Sequence, residues 1–476
     1  MNAFSPSPAA VQAATAAAFP ALLDDLRALV RIPSCSFPGF DPVHVEASAA
    51  ATCALFTRCG WPDARIARLP GVLPYVVASD RRAGPQAPTL LLYAHHDVQP
   101  PLREALWTSP PFEPVERDGR LYGRGAADDK AGVVLHAYSG AVWNRLAGQP
   151  PCNLIAVIEG EEEIGSEHFG AFLTQHRDEL ACDALVIADL ANYATGLPSL
   201  TTSLRGNLVM EVELRALKSP LHSGMWGGPV GDVCGALLRV LGALTDNEGR
   251  VVDALREGIA APSAAEIASW QRLPFDAAVF AEQAGMVRTP VAGDAVSVHR
   301  QLWREPCLAI NVLQAGVRGQ TGNVLMDRAW ARFSLRIAPG QDPRAIDATV
   351  ESLLRVATPA WCDLTITRRA EPGPGWTTET AHPAFTAARR ALHEGFGVEP
   401  VMVGCGGSIP FVGAATAALG GVPAILLGVE DPACAAHAEN ESVHLGDLQK
   451  AFHSAVALIG HLAADAAGVA CENAPE

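Results

Sequence analysis

Five short stretches of this chain carry acids and histidines, residue types that can hold metal ions. They run from Leu90 to Asp97, Gly123 to Lys130, Ile158 to Ser166, Leu185 to Asp189 and Ala435 to Glu441. Among their donors are His95, Asp128, Glu163, Asp189 and His437. Two histidines and three carboxylates suit a borderline cation such as zinc, cobalt or manganese. Two divalent ions held close together can share one hydroxide and direct it at an amide carbonyl. Any one stretch alone is ordinary. Single His-x-Asp triplets are common, acidic runs are usually solvated faces, and His96 reads as a neighbour rather than a ligand. The combination, in this order, carries the signal.

Short apolar runs must position these groups. Thr89 to Tyr93, Asn153 to Ile158 and Ala184 to Ala188 read as buried strands. His95, Glu163 and Asp189 each lie just past one of them, and His437 follows a further strand, Ala424 to Leu427, after a loop. In open α/β sheets ligands gather at the carboxyl ends of strands, so residues distant in sequence converge. Val11 to Val30, Val45 to Cys59, Lys130 to Arg145 and Gly165 to His176 have helical spacing, with Pro33 and Gly60 as stops. This alternation predicts an α/β fold with a mixed, largely parallel sheet flanked by helices. From about Thr202 to Arg369 the pattern changes. Leu208 to Leu214 and Ala329 to Ile337 alternate as half-exposed strands, and Val230 to Leu244 and Pro343 to Val356 look helical. One-sided burial of that kind predicts an inserted α+β segment. Ser263 to Pro290 reads as an irregular surface excursion, and no internal repeat is visible.

Composition narrows the partners. The 476 residues exceed one ordinary core and predict two or three domains. Hydrophobic residues at 49% and charged residues at 18% describe a globular chain. A net charge of −16 without a dense Lys/Arg run argues against a nucleic-acid partner. No apolar run reaches the roughly 18 residues of a membrane span, and Met1 to Ala18 lacks the basic start of a signal peptide. Eleven cysteines without C-x-x-C pairs fit a reducing compartment, so a cytoplasmic location is expected. Cys405 reads as a small packing residue.

The motifs Leu121-Tyr122-Gly123-Arg124-Gly125, leading to Asp128-Asp129-Lys130, and Glu162-Glu163-Ile164-Gly165-Ser166 are highly specific. With the other stretches they make the chain, from about Leu22 to Leu462, resemble the di-zinc exopeptidases. That family includes carnosinases, cytosolic non-specific dipeptidases, carboxypeptidase G and succinyl-diaminopimelate desuccinylase. The resemblance implies a catalytic domain in two parts, residues 1–201 and 373–476, interrupted by a lid and dimerisation domain at 202–372. It implies that Asp128 bridges two divalent metal ions, zinc ahead of manganese or cobalt. His95 and Asp189 would complete one site, and Glu163 and His437 the other, with a cis peptide between Asp128 and Asp129. Asp97 then orients His95, Glu162 is the general base, and Glu161 has no role. Aspartate rather than glutamate at 189 leans toward the dipeptidase members.

The resemblance extends to substrate-binding residues. Leu221-His222-Ser223-Gly224 matches a lid motif whose histidine polarises the substrate carbonyl. The family has Asp two residues before that histidine where this chain has Pro220, a departure that bears on how His222 is oriented. Asn323 and Arg336 match a substrate-binding pair, Arg336 able to hold a free carboxylate bidentately. Gly406-Gly407-Ser408-Ile409-Pro410 matches a small-residue loop, with Gly407 and Ser408 against the substrate backbone. Trp107, Pro111 and Phe112 read as packing residues. Dimeric relatives borrow the lid histidine from a partner subunit, and this chain has one lid, so the resemblance implies a homodimer.

The implied activity is a metal-dependent dipeptidase acting on small peptides with a free C-terminal carboxylate. Two metals would activate a bridging hydroxide, with Glu162 as base. An N-acyl-amino-acid deacylase would use the same machinery. A non-catalytic metal-binding scaffold is disfavoured, because all five ligands and Glu162 are retained.

Overall fold

Leu90-Leu91-Leu92-Tyr93 and Leu154-Ile155-Ala156-Val157 are apolar on both faces, and such strands are stable only between two covering layers. The computed structural model describes residues 6–288, 293–319, 322–407 and 410–472, and it divides them into two compact units. The first comprises residues 1–202, 378–403 and 411–476; the second comprises 203–377 and 404–410. Segment 404–410, which the sequence reading left in the catalytic part, thus groups with the inserted unit.

In the first unit the sheet runs Asp63–Ala67, Tyr75–Asp80, Asn153–Glu159, Thr89–His95, Ala184–Ala191, Ala424–Glu430, Ser199–Leu204. Thr89–His95 is parallel to both its neighbours, and Ala424–Glu430 is parallel to Ala184–Ala191. The remaining pairings in that order are antiparallel, giving a mixed, largely parallel centre. Leu90, Leu92 and Ala94 face a core built with helices Pro8–Val30, Val43–Arg58, Lys130–Ala147, Pro383–Phe396 and Leu445–Glu472. Tyr75 and Tyr93 belong to a second layer. Tyr75 stacks on Phe172 at 4.0 Å between ring centres, and Tyr93 meets Phe169 and Phe411 at 5.3 and 4.4 Å. Among the described residues no helix is long and apolar enough to cross a membrane, and no disulfide joins the described cysteines.

Several boundaries move, each for a local reason. Helix Pro8–Val30 begins before Val11 because the Ser7 side chain caps it and Pro8 suits the first turn. The region expected as one helix from Gly165 instead starts at Phe169. Gly165 and Ser166 have φ of 103° and 52°, which no right-handed helix accommodates. Thr89–His95 and Ala184–Ala191 run further than expected, so His95 ends its strand and Asp189 lies within its own. Between the Ile187–Leu426 and Leu190–Gly428 pairs, Ala188 and Asp189 oppose Leu427 alone. A bulge of this kind re-aims a side chain.

The second unit is an antiparallel sheet, Cys307–Gln314, Arg328–Ile337, Gly206–Arg215, Asp363–Arg368. Leu208, Met210, Val212 and Leu214 alternate with Ala331, Phe333 and Leu335 across the pairing to form its buried face. Helices Val233–Gly242 and Pro343–Ala357 cover that face. The latter buries Ile346, Val350 and Leu354 at helical spacing behind an Asp342 cap. The stretch from Ser263 is not irregular: it forms helices Ala264–Trp270 and Ala277–Gln283, capped by Ser263 and Asp276. Each is too short to show a period, so only the caps foretell them. Thr289 and Pro290, the end of that stretch, lie outside the described residues.

Candidate active site

Strand ends bring the first unit's polar residues together. His95, Asp128 and Asp189 form one trio and Asp128, Glu163 and His437 another, the donor atoms of each trio within 4.8 Å of one another. Asp128 belongs to both. Its Oδ1 lies 2.9 Å from His95 Nε2, and its Oδ2 lies 2.9 Å from His437 Nε2. Asp189 Oδ1 is 3.7 Å from His95 Nε2, and Glu163 Oε2 is 3.2 Å from His437 Nε2. The Asp128–Asp129 peptide is cis. Asp129 belongs to neither trio: it caps helix Lys130–Ala147 and accepts from the His95 backbone N–H.

Asp97 supports both the histidine and the acidic turn. His95 Nδ1 lies 3.1 Å from the Asp97 carbonyl and 3.4 Å from its Oδ1. The carbonyl only accepts, so Nδ1 donates to Asp97, which turns Nε2 toward Asp128. The Asp97 carboxylate also accepts the backbone N–H groups of Glu162 and Glu163, at 3.2 and 3.1 Å, and the Ser36 hydroxyl at 2.6 Å. Glu162 is thereby fixed beside the trios on the short helical turn Glu162–Ile164.

The electrostatics are those of crowded, buried acids. Burial pushes the Glu162 carboxyl well above the ordinary glutamate range, and Asp189, Glu163 and Asp128 push the same way against His95. Burial also raises Glu163, to about 7, with Asp128 adding to it. Hydrogen bonds to Asp128 and Glu163 lift His437 to about 11. Burial opposes charge on His95, yet Asp189, Asp128 and Asp97 outweigh it and hold its pKa well above the usual imidazole value. Carboxylates that penalise each other while facing imidazole nitrogens make a donor set that a divalent cation satisfies.

Some contributors escaped the sequence reading. Gln99 holds Glu163 through its backbone N–H at 3.1 Å and its side-chain amide at 2.7 Å. Glu161, read as having no role, is buried and accepts from Tyr75 Oη at 2.8 Å and from the His168 backbone and ring, each at 3.0 Å. It anchors the base of the turn that carries Glu162. Nothing in its spacing sets it apart from a solvated acid.

The remaining residues belong to the second unit. His222 and Asn323 are brought together on the two-stranded pairing Leu221–His222 with Val324–Leu325, where Ser223 N–H donates to the Asn323 carbonyl at 2.7 Å. Both side chains are exposed. Arg336 stands on strand Arg328–Ile337, in register with Asn207 and Cys307. Gly407 N–H lies 3.3 Å from Cys405 Sγ. Ser408 lies outside the described residues.

Two trios that could hold metal ions, near the carboxyl ends of parallel strands and with the half-buried Glu162 alongside, fit a metal-dependent hydrolase. The profile of peptidase family M20/M25/M40 matches residues 91–461, and the chain belongs to that family. It is therefore a metallopeptidase. It is 32% identical over 379 residues to a cysteinylglycine-S-conjugate dipeptidase of Corynebacterium striatum, covering 78% of this chain and 80% of that protein. It is 27% identical over 344 residues to a Beta-Ala-His dipeptidase of Rattus norvegicus, covering 71% and 70%. In fold it resembles the di-peptidase Dug1p from Saccharomyces cerevisiae, with a TM-score of 0.80, 24% identity and coverage of 97% and 99%.

Proposed function

We propose that this chain is a two-metal dipeptidase that cleaves dipeptides or short peptides with a free C-terminal carboxylate. The observation that carries this reading is Asp128, shared between two metal-ligating trios with Glu162 beside them. His95, Asp128 and Asp189 would hold one ion, and Asp128, Glu163 and His437 the other, with zinc the metal this donor mixture suits best. Bound ions supply Lewis-acid chemistry, stabilising charge on the carbonyl oxygen and making water acidic enough to deprotonate near neutral pH. Glu162 accepts the proton of the attacking water and returns it to the amine nitrogen as the carbon–nitrogen bond breaks. His222 donates to the developing oxyanion, Arg336 holds the terminal carboxylate, and Asn323, Gly407 and Ser408 line the substrate backbone. Named dipeptidases among the relatives support peptide over N-acyl-amino-acid substrates. Metal-reconstituted protein assayed on a dipeptide panel beside acetyl- and succinyl-amino acids tests the reading, and hydrolysis of only the latter makes the chain a deacylase. Ten described cysteines without a disulfide among them support a cytoplasmic location.

Arg336→Ala is expected to raise KM and lower kcat/KM most for free-carboxylate substrates. A dipeptide amide offers the guanidinium no anion. It should be a poor substrate of the wild type and little worse for the variant. Steady-state kinetics on both substrates checks this, and equal losses would mean that Arg336 is structural.

The active form is proposed to be a homodimer in which one copy's lid supplies His222 to the other. The inserted unit occurs once, and strand Cys307–Gln314 presents an unpaired edge exposing Ile310, Val312 and Leu313. His222→Ala and Glu162→Ala proteins should each be inactive. Mixed and allowed to exchange, heterodimers should recover up to about half of the working sites. Exchange without recovery, or a monomer by light scattering, defeats the proposal.

A further inference from the structure

We propose that Glu441 is a positioning residue that sets Asp128 and His437 together and so governs cation binding at both trios; this rests on the ligand reading above. Glu441 shares a loop with His437 and is wholly buried. Its Oε2 accepts from Arg124 Nη1 at 2.6 Å and Gly125 N–H at 2.9 Å. Its Oε1 accepts from Ala127 N–H at 2.9 Å and Asp128 N–H at 3.1 Å. Its own carbonyl takes the Gly123 N–H at 2.9 Å. Backbone donors of residues 123, 125, 127 and 128 therefore end on this one side chain and its carbonyl. A buried loop must satisfy its N–H groups, and charge-assisted acceptors hold them most firmly. The carboxylate acts as the template on which the Asp128 loop is folded.

The other end of the same residue holds the His437 loop. Ala435, His437 and Asn440 have φ of 55°, 63° and 61°, the left-handed region that non-glycine residues occupy only when surroundings over-determine it. His437 is not itself the anchor, since its side chain is 58% exposed and meets only Asp128 and Glu163 in ion pairs. The fixed points are Asn440, bonded to Thr108 N–H and the Leu106 carbonyl at 2.8 and 2.9 Å, and Glu441 next to it. Arg124 completes the link. It pairs with Glu441 and donates to the Ala438 carbonyl at 3.0 Å, with its guanidinium 5.5 Å from the Trp107 ring centre. One carboxylate thus joins the loop carrying the shared ligand Asp128 to the loop carrying His437.

The test is cobalt(II) titration of chelator-stripped, full-length protein, followed by calorimetry and visible absorption. Glu441→Gln keeps the shape and one acceptor but must turn an amide N–H₂ toward one pair of donors, either Arg124 with Gly125 N–H or the Ala127 and Asp128 N–H groups. It should fold, by circular dichroism, and bind both ions about 10- to 100-fold more weakly, with the cobalt spectrum altered at both equivalents. His437→Ala, as reference, should weaken one ion. Wild-type affinity and spectrum in Glu441→Gln overturn the proposal. So does weakening confined to one ion. If Glu441→Gln does not fold, Arg124→Met replaces it, leaving the backbone bonds but loosening the carboxylate. Several-fold weaker binding of both ions then supports the proposal, and unchanged binding overturns it. The readout uses no substrate. Wild-type protein that binds both ions yet cleaves no dipeptide would defeat the functional reading and leave this inference intact.

Discussion

Glu162→Ala is expected to retain both metal ions and lose nearly all turnover. Glu162 belongs to neither trio, whereas the adjacent Glu163 does. Its backbone N–H is pinned by Asp97, so truncating the side chain leaves the turn's hydrogen bonds in place. What disappears is a half-buried carboxyl beside the two trios, the group proposed as general base. Loss of a general base costs typically 10²–10⁴-fold, or about 3–5 kcal/mol of transition-state stabilisation. Because the proton moves only as the reaction proceeds, kcat should carry the loss and KM should stay near wild type. Metal analysis beside steady-state kinetics separates the outcomes. Turnover within tenfold of wild type removes Glu162 from the mechanism, and loss of an ion makes it a ligand instead.

Asp128→Ala is expected to lose both ions and the stability they lend. Each carboxylate oxygen of Asp128 faces a different histidine, so removing it opens both trios at once. Asp189, Glu162 and Glu163 remain in a buried site with one fewer partner for the histidines, and like charges there are costly. A ligand that binds only the folded chain stabilises it by about 2.7 kcal/mol at a hundredfold excess over its dissociation constant. The wild type should therefore melt at a higher temperature with zinc than without, and the variant should show little difference. Asp189→Ala and Glu163→Ala should each lose chiefly one ion. Two ions retained in Asp128→Ala would contradict the bridging role.

The candidate ligands stood out because few residue types can hold a metal ion. Histidines and carboxylates following several apolar runs in one chain suggest a shared site at the strand ends of an open sheet. The helices with long periodic patterns, such as Pro343–Ala357, were legible for the same kind of reason: one face must be buried every turn. Short elements were not. Ala264–Trp270 and Ala277–Gln283 are held by caps and packing, and Gly165–Ser166 breaks a helical pattern through backbone angles that composition does not reveal.

The sequence by itself pointed to the family and to the candidate ligands, since those depend on residue type and order. Only the tertiary structure shows which polar side chains brace the candidate ligands. Glu161, Gln99 and Glu441 look like any polar residues in a row of letters, because their roles come from hydrogen-bond partners contributed by distant segments. Tyr75 reaches Glu161 from another strand, and Arg124 with the backbone of residues 125–128 reaches Glu441 from across the sequence. The same holds for Asp189, which a bulge against Leu427 re-aims toward His95. Burial and hydrogen-bond geometry are properties of the folded chain, and they alone distinguish a solvated acid from one that shapes the site.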